Sequence, residues 1–221
     1  MGCWPDQALH RTASLPVTQS HHRSTLQKVV HRTTLKAVGL DLAYWLSRPV
    51  EERFAAVEAL RQQALAAARG TMLNKDFKEF VELLNSTGVE HLLVGAYARA
   101  AHGHPRYAGD IDIWINPTSP NVSRLLEALG RFGFGSLGPT EADFMLPQAV
   151  IQLGDPPARI ARLTAIDGVE FDECCGRKVS MRVDGVDLCV IHLVDYRANK
   201  LAAGRARDLA DLEELGPSAD A

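Results

Sequence analysis

Two aspartates one residue apart, in the stretch Asp110-Ile111-Asp112-Ile113-Trp114-Ile115, are the side chains of this sequence best suited to chemistry. The alternation predicts a strand. Ile111, Ile113 and Ile115 fall on one face, and Asp110, Asp112 and Trp114 on the other. Aspartate is a poor strand former, and neighbouring carboxylates repel each other. A divalent cation offsets that cost: Mg²⁺ takes one or two carboxylates and fills its shell with water and substrate phosphates. Taken alone, the D-x-D pattern also fits a solvated strand face. Just upstream, His91 to Val94 reads as a short strand, then come Gly95-Ala96 and an Ala-rich helix over 96–102. A strand-to-helix turn at glycine exposes backbone N–H groups where a phosphate can bind. Carboxylates for a metal and a turn for phosphate, on consecutive elements, are the parts of a phosphoryl- or nucleotidyl-transfer site.

The elements that must position these residues follow from periodicity. Residues 1–24 are polar, without periodicity, and read as a disordered tail. Residues 25–71 read as a helical extension, broken at Ser47-Arg48-Pro49, with Phe54, Val57, Leu60 and Ala64 at helical spacing beyond it. The main domain is expected over 72–216, with a short tail at 217–221. It opens with Asn74 as N-cap and a helical stripe through Phe77, Phe80, Val81 and Leu84. A second stripe runs through Val122, Leu125, Leu126 and Leu129. Strands are expected at 149–153 and 160–164. Asp184-Gly185 joins 179–183 to 186–190 as a hairpin. Two helices, over about 194–203 and 207–215, close the chain. The expected class is α+β, a mixed sheet packed with helices.

Composition narrows the partners. With 46% hydrophobic and 23% charged residues the chain can bury a core. No apolar run is long enough for a membrane span, and the N-terminus lacks the apolar stretch of a secretion signal, so a cytoplasmic protein without a membrane partner is expected. Cys3, Cys174, Cys175 and Cys189 have neither zinc-site nor disulfide spacing, and the vicinal pair reads as packing. Residues 1–70 hold nine Lys/Arg against five Asp/Glu, and residues 71–221 hold fifteen against twenty-two. The acidic main domain lacks the basic face of a general nucleic-acid binder. Gly133 to Gly138 matches G-x-G-x-x-G, but a helix precedes it where a dinucleotide fold needs a strand.

The series LLVGAYARAAHGHPRYAGDIDIWI, RLLEALGRFGF, QLGDPPARIARLTAIDGVEF and LVDYRANKLAAGRARDLADLEEL, within residues 72–215, resembles the polymerase-β-type nucleotidyltransferases. It is most similar to the AbiEii toxin-like and minimal nucleotidyltransferase (MNT-like) group. The resemblance implies a nucleotidyltransferase-like fold and Mg²⁺-dependent transfer of a nucleoside monophosphate from a nucleoside triphosphate to a hydroxyl. The acceptor would be an RNA 3′ end or a protein side chain, in a toxin–antitoxin setting with a small antitoxin-like or helical partner. It implies Mg²⁺ on Asp110 and Asp112, phosphate at Gly95 and Ala96, and Lys200 on the triphosphate. An acidic partner in the last helix would be Asp208 or Asp211, of which Asp211 is preferred. Arg106 is assigned either to phosphate or to neutralising the aspartates. His102 is assigned to capping its helix or to orienting the aspartates, with the structural role preferred.

The chain departs from that pattern in three places. Ala96 supplies no hydroxyl. Ala161, in Arg159-Ile160-Ala161-Arg162-Leu163-Thr164, stands where relatives often carry a third carboxylate. The N-terminal extension is unusual. These departures leave an alternative: a catalytically degenerate nucleotidyltransferase-fold protein that binds a nucleotide or a partner and regulates it.

Overall fold

The computed structural model describes residues 26, 29–34, 46–54, 73–105, 108–135, 139–146, 148–155 and 159–216. Its centre is a seven-stranded mixed sheet: β1 (Val30–Thr34), β2 (His91–Val94), β3 (Asp110–Ile115), β4 (Ala149–Leu153), β5 (Arg159–Leu163), β6 (Val179–Val183) and β7 (Val186–Val190). The order is β1-β4-β5-β3-β2-β7-β6. Strand β3, which carries both aspartates, is therefore the middle strand. It pairs parallel with β5 and antiparallel with β2. The described helices are α1 (Lys75–Thr87), α2 (Gly95–Ala101), α3 (Ser119–Arg131), α4 (Glu141–Met145), α5 (Phe171–Arg177), α6 (Leu193–Ala203) and α7 (Ala206–Glu214). The expected α+β class with a mixed sheet is the class observed.

Alternation in β3 sorts its side chains as expected. Ile111, Ile113 and Ile115 are fully buried in a core shared with Phe77, Phe80, Val81 and Leu84 of α1 and Val122, Leu125 and Leu129 of α3. Phe80 and Phe132 close it, with ring centroids 5.0 Å apart. Each such side chain contributes roughly 1.5–3 kcal/mol on burial, which fixes the register of β3. A slip of one residue would drive the aspartates into this core. On the other face Trp114 packs edge-on against Phe171 of α5, at 5.1 Å and 79°. That half of the face is closed, whereas Asp110 and Asp112 remain partly exposed. The Asp184-Gly185 turn has φ of 51° and 82°, the double positive φ of a tight hairpin. The main-chain N–H of Leu73 donates to the Asp184 carboxylate at 2.8 Å, fastening the turn to the start of α1.

The structure corrects the sequence reading in three places. Residues 30–34, expected to be helical within the 25–71 extension, form edge strand β1 on β4, with His31 opposite Gln152. Their β-branched content favours a strand. Two of its side chains pair with distant acids: Arg32 grips Asp143 through two hydrogen bonds of 2.7 and 3.1 Å, and His31 pairs with Asp155 at 2.8 Å. Helices α4 and α5 were not expected; both are short, and α4 starts in a capping box between Thr140 and Asp143. Strand β5 begins one residue early, at Arg159. Residues 50–54 are helical, as expected after Pro49, while the tail at 1–24 and residues 25, 27–28, 35–45 and 55–72 lie outside the described residues. Among the described residues no helix is long and apolar enough to cross a membrane.

Candidate active site

The turn from β2 into α2 lies directly against the D-x-D strand. Val94 is the register partner of Asp112. Gly95 follows at φ +62°, a left-handed conformation that L side chains rarely adopt. A Cβ at this position would stand 2.1 Å from Asp112 Oδ2 and 3.0 Å from its Cγ. The residue must therefore be glycine on two counts, backbone angle and space. Ala96 is buried, and with no side-chain hydroxyl it offers a phosphate only its main chain. Asp112 and Gly95 are thus brought together as the sequence suggested.

Asp110 has a partner that the sequence did not reveal. Parallel pairing places Arg159 beside it in register. The guanidinium takes the carboxylate with both arms, Nε to Oδ1 at 3.2 Å and Nη2 to Oδ2 at 2.5 Å. The carboxylate side chain is 33% exposed and the arginine only 11%. The same parallel register puts Ala161 beside Asp112, with Gln152 of β4 on its far side. Register partners on neighbouring strands point the same way. A carboxylate at 161 would therefore stand on the Asp112 face, where this chain has a methyl group. Among the described residues no three His, Cys, Asp or Glu side chains are grouped to hold a metal ion.

Lys200 and Asp211 belong to a second, buried cluster on α6 and α7. The Lys200 ammonium bonds Asp208, lies 3.5 Å from Asp211 Oδ2, and sits 5.5 Å over the Tyr196 ring. Tyr196 donates its hydroxyl to Asp211 at 3.5 Å. Asp208 is a buried first-turn residue rather than the N-cap, which is Arg205. Arg99 of α2, 3% exposed, reaches into this cluster: its Nε lies 3.7 Å from Asp211 Oδ1, and it also pairs with Glu214. Gly95 and Arg99 are four residues apart on α2, about one turn and roughly 6 Å of rise. That short helix joins the cluster to the D-x-D strand. Arg99 could not be picked out from the sequence, because nothing in an Ala-rich helix says which residue faces inward.

Two further residues have structural roles. His102 caps α2, and its Nε2 lies 2.8 Å from the Ile191 carbonyl, tying the helix to the end of β7. Cys174 is fully buried, and burial, reinforced by nearby Asp195, pushes its thiol up to about 12. Such a thiol is unreactive, in keeping with packing. Arg106 lies outside the described residues.

No family model matches the chain, and no curated protein matches it. Among solved structures it is similar to a Thermotoga maritima protein described as a presumptive nucleotidyltransferase, with 17% identity and a TM-score of 0.42. That likeness covers 70% of this chain and 93% of the other.

Proposed function

We propose that this protein is a nucleotidyltransferase that takes a nucleoside triphosphate with Mg²⁺ at Gly95, Asp110 and Asp112. One observation carries the reading: the glycine turn is packed against Asp112, so the main chain entering α2 and a partly exposed carboxylate pair are immediate neighbours. The donor set fits the ion. Two carboxylates on one strand face, completed by phosphate oxygens, make a magnesium site. When bound, the ion would neutralise charge on the phosphoryl oxygens. Gly95, which has no room for a Cβ beside Asp112, and Ala96, which has no hydroxyl, would meet a phosphate with main chain alone. Lys200, shared by Asp208 and Asp211, acts on α2 through the contact of Asp211 with Arg99 and so holds the turn in place. In the reaction the acceptor hydroxyl oxygen bonds to the α-phosphorus, pyrophosphate leaves, and the hydroxyl proton passes to water. The acceptor is an RNA 3′ end or a protein hydroxyl, in a toxin–antitoxin setting. Incorporation of α-labelled nucleotide into RNA and protein, with and without Mg²⁺, tests this. Wild type is expected to label an acceptor and Asp112→Asn to label none; equal labelling by both would remove the mechanism.

The alternative is a degenerate enzyme that binds a nucleotide or partner without transfer, and it is favoured by Ala161 beside Asp112. Ala161→Asp separates the two readings. Labelling that appears only in this variant supports degeneracy, and labelling already present in wild type rules it out.

A further inference from the structure

We propose that Arg159 is the resident counter-cation of the Asp110/Asp112 pair, so that the site takes a divalent ion only together with a triphosphate, to which the guanidinium is handed over. The handover rests on the nucleotide-binding reading above; the counter-cation role does not. Arg159 stands in register with Asp110 and holds it through two hydrogen bonds. Ala161 stands where a third carboxylate would add negative charge, and the formal charge of Asp110, Asp112 and Arg159 taken together is −1. A bare divalent ion entering here would meet a guanidinium of its own sign already seated on one of the two carboxylates. A triphosphate removes the conflict. Its oxygens match the guanidinium fork as well as a carboxylate does, so Arg159 can exchange Asp110 for phosphate while Asp110 turns to the metal.

The test reads free Mn²⁺ by electron paramagnetic resonance during titration of the full chain without nucleotide. Wild type is expected to bind Mn²⁺ weakly, and Arg159→Gln about tenfold more tightly or better. Arg159→Lys keeps the charge and should behave like wild type, which separates a charge effect from damage to the fold. Arg159→Gln/Asp110→Asn should lose the gain. Unchanged Mn²⁺ affinity in Arg159→Gln, or a gain that survives in the double variant, would overturn the proposal. Repeating the titration with ATP separates the two ideas. Mn²⁺–ATP should bind wild type more tightly than Arg159→Gln, and the reverse order would sink the handover. If no form binds ATP while the Mn²⁺ pattern holds, the counter-cation role stands and the nucleotide reading falls.

Discussion

Two groups of acids and bases sit on either side of helix α2, and they are built for different ends. At Asp110 and Asp112 the carboxylates are partly exposed on the central strand, held by one arginine from the next strand and pressed against a glycine turn. At Lys200, Asp208, Asp211 and Arg99 every one of the four side chains is buried. A buried ion pair gains little over apolar packing, yet removing one partner strands a charge in a medium that cannot solvate it. A partly exposed pair depends less on its partner, because water can solvate the carboxylate, which can then change partner. The buried group is therefore suited to fixing geometry, and the partly exposed group to exchanging its guanidinium for a ligand.

That contrast can be broken by substitution, beginning with the largest effect. Lys200→Met should lower stability by about 3–5 kcal/mol, because Asp208 and Asp211 lose their shared cation; urea unfolding measures it, and a change below about 1 kcal/mol would mean that the cluster does not fix geometry. Gly95→Ala places a methyl group against Asp112 and adds left-handed strain of roughly 1–2 kcal/mol. It should also remove nucleotide binding, and binding that survived would move the phosphate site away from this turn. Asp110→Asn should cost less stability than Lys200→Met, because the Asp110 carboxylate is partly exposed, while Mg²⁺-dependent binding is lost. A large loss of stability there would put Asp110 in the same class as the buried group.

The Arg32–Asp143 pair sharpens the comparison, since it is another exposed bidentate pair, set on the edge strand away from the glycine turn. Its hydrogen bonds from Arg32, above all, hold the Asp143 carboxyl at about 2, below its ordinary value of 3.8. A carboxyl lowered on folding stabilises above its unfolded value and loses that contribution as it becomes protonated in the fold. Wild type should therefore lose stability between pH of about 4 and 2 in a component that Asp143→Asn lacks. Nucleotide binding near neutrality should be the same in both.

Much of this was legible in the sequence where a period and a local signal agree. Asp110 to Ile115 alternates, so both the strand and the face of its aspartates could be read directly. Asp184-Gly185 set its hairpin because few residues accept positive φ twice in succession. Residues 30–34 escaped because Arg32 and His31 pair with Asp143 and Asp155, more than a hundred residues away, which hides an edge strand's pattern. The Arg159–Asp110 pair escaped for a related reason. It depends on the register of two parallel strands with a hairpin partner inserted between them in sequence, and that register belongs to the sheet rather than to any local stretch. Lys200 was singled out, but its burial by Asp208 and Asp211 appears only when α6 and α7 fold back on each other.

The most direct test is calorimetric binding of ATP, GTP, CTP and UTP, with and without Mg²⁺, to the intact protein and to Asp110→Asn/Asp112→Asn. Binding of at least one nucleotide that requires both Mg²⁺ and the two aspartates is the result expected. Nucleotide binding that ignores Mg²⁺ and the double substitution, or no binding to either form, would contradict the assignment of the exposed pair as the working site.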